Sequence, residues 1–238
     1  MVTDVNSIEE LIRTGLMKIT GRLAVASNAT MLAKIDDGAD GIEVIYKPVA
    51  GERPLWDFPH GSLANREFAT YLLSSTSGFD VVPYTTLRDG PFGPGAVQQW
   101  IEVNDEIDPI EFFQSDHLDL RKMALFDAII NNTDRKIGHI LPSKDGLVLG
   151  CDHGVTFHEE DKLRTVLWQW AGEAFTASEL ALLQKVEHLL GSTFREDLEL
   201  LLTQEEISAL EMRVKRLSDL GVFPHPSQDW PAVPWPPF

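Results

Sequence analysis

Asp134 stands in the polar run Asn131-Asn132-Thr133-Asp134-Arg135-Lys136-Ile137-Gly138-His139, and Asp152 opens the triplet Asp152-His153-Gly154 eighteen residues further on. Far upstream, Lys47 closes the apolar run that starts at Ile42, and Glu67 lies in the segment that follows it. These types, in this order, suit phosphoryl transfer. That reaction asks for a carboxylate to position or deprotonate an acceptor hydroxyl, acidic ligands for a divalent ion, a cation for the phosphates, and an acid to hold that cation. Each residue also has a structural reading. Lys47 can end a solvated strand and Glu67 can sit on a helix surface. The Asn-Thr-Asp and Asp-His-Gly runs can be turns whose side chains satisfy the backbone. The joint order and spacing favour the chemical reading.

Local patterns indicate which elements carry these residues. Ser7 with Glu10 three positions later reads as a capping box opening a helix. The stretch Ile19–Ile35 and the run Ile42–Lys47, with a turn near 36–41, predict a strand, a small-residue loop, a second strand, a turn and a third strand. Residues 48–62, rich in proline and glycine, read as an ordered loop. Ser62–Ser74 has apolar residues at helical spacing. Strands are expected over Val81–Leu87 and Ala96–Val103, and a helix over Leu118–Asn131. A turn at Asp145-Gly146 precedes a further strand. Residues 160–173 read as helical, as does nearly all of Thr176–Leu220 apart from a break at Gly191-Ser192. The tail from His225 is too rich in proline for a helix. A β-rich first half and a helix-rich second half predict an α+β fold, with a division near residue 103 and a ligand cleft between two lobes.

The chain has 238 residues and a formal net charge of −17. So acidic a chain is poorly suited to nucleic acid or an anionic membrane surface. The single cysteine, Cys151, excludes an internal disulfide and a multi-cysteine zinc site. The N-terminus shows no basic stretch followed by an apolar run, and no apolar run is long enough to span a bilayer. A soluble cytoplasmic protein is expected.

The order of these parts resembles the phosphatidylinositol 3- and 4-kinase superfamily within the protein-kinase-like fold, and in particular a small actinobacterial kinase-like family. The resemblance spans most of residues 20–170. It implies a two-lobed fold with lobes 1–101 and 102–238, bound ATP, and Mg²⁺ or Mn²⁺. Asp134 matches the catalytic aspartate, Lys47 the phosphate-contacting lysine and Glu67 its helix partner. Asp152 matches the metal-binding aspartate of the Asp-x-Gly motif. The second metal ligand of this superfamily is an asparagine five residues after the catalytic aspartate. His139 stands there, which favours Mn²⁺ over the oxygen-seeking Mg²⁺ or assigns His139 to phosphate. The resemblance also places Ser27, Asn28 and Thr30 in the loop over the nucleotide phosphates. Gln99, Trp100 and Ile101 fall at the interlobe hinge that would meet adenine.

Arg135 and Lys136, beside Asp134, and Lys162 and Arg164, after the Asp-x-Gly motif, are candidate contacts to phosphate or to an anionic acceptor. The expected function is a metal-dependent kinase acting on a hydroxyl of a soluble small molecule or protein. Competing readings are a nucleotide-binding pseudokinase, a nucleotidyl transferase, and a metal-dependent hydrolase built on Asp152, His153 and His158 with Glu159 and Glu160. Trp230 and Trp235 in the tail either pack back on the domain or bind a protein partner.

Overall fold

The computed structural model describes residues 5–23, 28–36, 38 and 41–238. Helix α1 (Val5–Thr14) leads into strands β1 (Met17–Arg22), β2 (Met31–Ile35) and β3 (Ile42–Pro48). Helix α2 (Leu63–Ser77) follows, then β4 (Thr85–Gly90) and β5 (Gly93–Gln99). The strands form one antiparallel sheet in the order β1-β2-β3-β5-β4. Beyond it come α3 (Pro109–Phe113), α4 (Leu118–Ile130), the hairpin β6 (Ile140–Pro142) and β7 (Val148–Gly150), and then α5 (Ala177–Leu190), α6 (Phe194–Glu199) and α7 (Gln204–Leu220). The fold is α+β, with an antiparallel N-terminal lobe and a helical C-terminal lobe. Among the described residues, no helix is long and apolar enough to cross a membrane.

Side-chain alternation along β3 decides where Lys47 points. Val44 and Tyr46 are buried, and pack with Ala33, Ile35 and Val97 around Ile12 of α1. Successive residues of a strand face opposite sides, so Lys47 projects from the other face. Helix α2 buries Leu63, Glu67, Thr70 and Ser74 along a single stripe. Its first free N–H groups are capped from a distance: Leu63 and Ala64 donate to the Glu52 carboxylate at 3.2 and 2.9 Å. Gly78, at φ +80°, ends the helix in the left-handed conformation.

Helix α4 is the centre of the C-terminal lobe. Leu120, Met123, Leu125, Phe126, Ile129 and Ile130 are fully buried within the larger core. Each such side chain contributes about 1.5–3 kcal/mol of burial free energy. Asn131, at φ 51°, stops the helix. Its Nδ2 donates to the carbonyls of His158 and Glu160, and its Oδ1 accepts from the Lys162 N–H. The residue that ends α4 therefore also pins the segment downstream of Asp152.

Several local expectations change. Helix α1 already runs from Val5, ahead of the start expected at Ser7. Strands β4 and β5 run into the glycine-proline segment and meet in a tight turn, with Gly90 opposite Gly93. Val81 and Val82 are core residues ahead of β4. Residues 160–173 are not helical. Their backbone is held instead by neighbouring chain: Thr165 bridges to Arg135, its N–H donates to the Ala232 carbonyl at 3.1 Å, and Trp168 Nε1 donates to the same carbonyl at 2.9 Å. The tail packs back here, and the Ile137 N–H donates to the Pro237 carbonyl at 2.9 Å. Trp235 stays exposed.

Candidate active site

Lys47 reaches across the face of the sheet to two carboxylates. Its Nζ forms an ion pair with Glu67 Oε1 of α2, and lies 2.8 Å from Asp152 Oδ1. Burial lowers the Lys47 pKa, but Asp152 and Glu67 more than offset it, so the ammonium stays charged well above its ordinary range. Lys47 holds the Asp152 carboxyl well below the ordinary carboxylate range, against the effect of burial. Burial pushes Glu67 up, with Lys47 pulling it back. Asp152 has a φ of 61°, an uncommon conformation for a residue with a side chain. Backbone strain of this kind clusters at functional sites.

The loop after α4 presents Asp134. Asn132 shapes it: its Nδ2 donates to Asp127 Oδ1 at 2.9 Å, and its Oδ1 accepts the Asp134 N–H at 3.0 Å. Thr133 ties the loop to the Asp-x-Gly segment, donating to the Val155 carbonyl from both its N–H and its hydroxyl. The Asp134 carboxylate is partly exposed and pairs with Lys136 Nζ at 3.2 Å. Burial raises its pKa, opposed by Lys136 and His139, which moves it toward a better proton acceptor.

His139 supplies a test of the metal expectation. Its Nδ1 lies 2.9 Å from the Asp134 carbonyl. A carbonyl only accepts, so Nδ1 carries the proton and Nε2 presents a lone pair. Burial lowers the His139 pKa, so the ring is neutral near pH 7. The Nε2 atom then faces Asp152 Oδ2 at 3.4 Å, two electron-pair donors turned toward each other. That donor set fits a cation between them, and a backbone carbonyl orienting the far nitrogen is the usual outer-shell support for a ligating histidine. Among the described residues no cluster of three or more His, Cys, Asp or Glu side chains could hold a metal. The protein would thus furnish His139 and Asp152 and leave the other positions to water and phosphate oxygens, the common arrangement for nucleotide-bound ions.

Lys47, Glu67, Asp134 and Asp152 line one cavity of about 370 Å³, together with Asn28, Thr30 and Arg164. Asn28 is held there by the Arg53 N–H, which donates to its Oδ1 at 2.9 Å. Ser27 lies outside the described residues.

No family model matches the sequence. The protein Rv2133c of Mycobacterium tuberculosis (strain ATCC 25618 / H37Rv) is 39% identical over 259 residues, covering 94% of this chain and 93% of Rv2133c. This chain belongs to the Rv2133c family. A crystal structure of the Golgi casein kinase superposes on it with a TM-score of 0.51 at 14% identity, covering 92% of this chain and 75% of that one. The same kinase with Mn/ADP bound gives 0.50 at 15% identity, covering 92% and 76%. At such identities the likeness shows the fold, which in this chain is protein-kinase-like.

Other sequence candidates of this Rv2133c family member are placed differently. Gln99, Trp100 and Ile101 line a second cavity of about 590 Å³ beside Tyr71, Tyr84 and Leu149, apart from Lys47. The Gln99 and Trp100 N–H groups are already spent on the carbonyls of Tyr84 and Glu43, which removes both as adenine donors. Arg135 is fully buried and offers no surface to an acceptor. Its guanidinium donates to Asp127, to the carbonyls of His139 and Cys151, and to His153 Nε2 at 2.8 Å. Every N–H of that group is used inside the protein. A carboxylate inside the otherwise apolar helix sequence around Asp127 was the signal for a buried cation partner. Lys162 is also buried, paired with Asp57 and Glu160 at 3.2 and 2.9 Å and placed over the rings of Trp56 and Trp230.

The histidine-based hydrolase site does not form. His153 is buried against Arg135, and His158 packs edge-on to Phe58. Burial pushes the Cys151 thiol up to about 12, which removes it as a nucleophile.

Proposed function

We propose that this protein is a metal-dependent phosphotransferase that moves the γ-phosphoryl group of ATP to a hydroxyl of a soluble acceptor. The observation that carries the reading is Lys47, paired with both Glu67 and Asp152, in the same cavity as Asp134. In this reading Lys47 holds donor phosphates and Glu67 fixes the lysine. Asn28 and Thr30 line the phosphate end. Asp134 orients the acceptor hydroxyl. The acceptor oxygen forms a bond to the γ-phosphorus as the bond to the β-phosphate oxygen breaks. The electron pair leaves with ADP and the hydroxyl proton passes to Asp134. His139 and Asp152 would hold Mn²⁺ or Mg²⁺, which when bound supplies charge neutralisation to the transferring group. Positioning and electrostatics do most of the work.

The same reading places the lobe division at residues 101 and 102, the protein in the cytoplasm, and its ancestry near the phosphatidylinositol 3- and 4-kinases. The strongly acidic balance favours a soluble acceptor over a phosphoinositide.

The test uses ATP labelled at the α or the γ position, with Mn²⁺ and a cell extract as the acceptor source. The expected result is transfer of the γ label, reduced about a thousandfold in Asp134→Asn while ADP affinity stays within about threefold. Transfer of the α label would assign nucleotidyl transfer instead. Nucleotide binding with no transfer of either label would leave a pseudokinase.

A further inference from the structure

We infer that the acceptor is an acidic small molecule, a phosphomonoester or a carboxylate, gripped by Arg53 and Arg164 while its hydroxyl faces Asp134. This rests on the phosphotransferase reading above and names the class of its substrate.

The pairing of the charged groups that line the cavity is the reason. Each carboxylate lining it already has a protein partner. Glu52 caps α2. Asp57 holds Lys162, Glu67 and Asp152 share Lys47, and Asp134 holds Lys136. Arg53 and Arg164 line the same cavity and, among the described residues, neither pairs with a carboxylate. The Arg164 Nε is buried without a hydrogen-bond partner, so the protein itself leaves that donor unsatisfied.

Both arginines are set by their backbones. The Arg164 N–H donates to the Asn132 carbonyl at 2.9 Å, and its own carbonyl accepts from the Arg135 N–H at 3.1 Å, so it flanks the loop that carries Asp134. Arg53 stands across the cleft, anchored to Asn28. A guanidinium matches the two oxygens of a carboxylate or phosphate in a single plane. Two guanidiniums without a carboxylate partner among the described residues are charged donors that a neutral acceptor would leave unused.

The experiment is calorimetric titration of the full chain saturated with Mn²⁺ and ADP. The probes are glycerol, glycerate, glycerol 3-phosphate and inorganic phosphate. The expected result is binding of at least one acid and not of glycerol. Arg53→Gln and Arg164→Gln should each weaken that binding about tenfold and leave ADP affinity within about threefold. Equal acid affinity in wild type and both variants overturns the inference, as does no acid binding at all. A parallel loss of ADP affinity also overturns it, and assigns the arginines to the nucleotide. Binding to vesicles of phosphatidylinositol phosphate without binding to the free acids replaces the soluble acceptor with a lipid headgroup and overturns it. If wild type binds no ADP, the phosphotransferase reading fails by itself, and the same titration without ADP still decides whether the two arginines bind an acid.

Discussion

Lys47 Nζ and Asp152 Oδ1 lie 2.8 Å apart although 105 positions separate them in the chain. The contact joins the end of strand β3 in the sheet lobe to a strained aspartate in the helical lobe. With Glu67 on the other side of the same ammonium, one lysine ties together three elements that sequence distance keeps apart.

Removing that ammonium should act on stability and on binding separately. Lys47→Met leaves Glu67 buried without its cation, a loss of about 3–5 kcal/mol for a broken buried pair, reduced here because Lys47 retains some solvent access. Adding Glu67→Leu should recover much of the denaturation midpoint, because the unpaired carboxylate is gone. Neither variant should bind ADP with wild-type affinity. Denaturant titration beside nucleotide titration separates the two effects, and recovery of ADP binding in the double variant would show that Lys47 does not contact phosphate.

The Asp127–Arg135 pair is the buried support beneath Asp134, with both side chains fully inaccessible. Asp127→Ala should cost about 3–5 kcal/mol, since the Arg135 guanidinium then remains buried with its charge uncompensated. Gly150→Ala probes the same place from outside, because a methyl there would sit 2.8 Å from the Arg135 guanidinium. Both variants are expected to lower the melting temperature by several degrees, measurable by circular dichroism. Unchanged melting would mean that the pair is dispensable to the fold.

Metal choice should follow residue 139. With Nε2 of a neutral imidazole as a ligand, wild-type turnover is expected to be higher with Mn²⁺ than with Mg²⁺. His139→Asn replaces nitrogen by oxygen and should shift the ratio toward Mg²⁺ by about tenfold. Turnover measured across both ions checks this, and an unchanged ratio would move His139 out of the metal site. A chelator should abolish turnover in either protein.

Stability should decline on the acid side of neutrality, and the sign follows from which state binds protons. His153 lies buried beside Arg135, and burial holds its pKa well below the ordinary 6.5. The unfolded chain therefore takes up a proton near pH 6.5 that the folded chain refuses, so stability falls as pH drops below that value. Asp152 adds to this at lower pH: its carboxyl is depressed in the fold, and its contribution is present above 3.8 and lost on acidification. Denaturation midpoints from pH 8 to pH 5 should show this slope, and His153→Gln should flatten it. A slope identical to wild type would mean that His153 does not carry the effect.

Lys162 is expected to be a latch. It joins Asp57 of the N-terminal lobe to Glu160 after the Asp-x-Gly motif, under the rings of Trp56 and Trp230. Lys162→Met should raise hydrogen exchange in residues 52–60 and 158–166 by about tenfold, since the tie between loop, segment and tail is lost. Exchange confined to the site of substitution would contradict that role.

Much of this protein can be read from its residues alone, where structure depends on neighbours in sequence. The alternation through Val44, Tyr46 and Lys47 turns the lysine away from the core, and the apolar residues at helical spacing from Leu120 to Ile130 make α4 a core helix. The relative order of Lys47, Glu67, Asp134 and Asp152 is likewise written in the chain. What local pattern cannot hold is the partner of a charge. Arg135 looks like a surface cation beside Asp134 until the fold delivers Asp127, His153 and two carbonyls to it. Lys162 and Arg164, two residues apart in sequence, separate into one buried and paired cation and one that has no carboxylate partner among the described residues, because only the tertiary structure brings Asp57 to the first. Residues 160–173 carry a helical pattern, yet backbone partners from Asn131, Arg135 and the tail hold them in a non-helical path. Propensity is a weak preference of a few tenths of a kcal/mol per residue, and a set of long-range hydrogen bonds outweighs it.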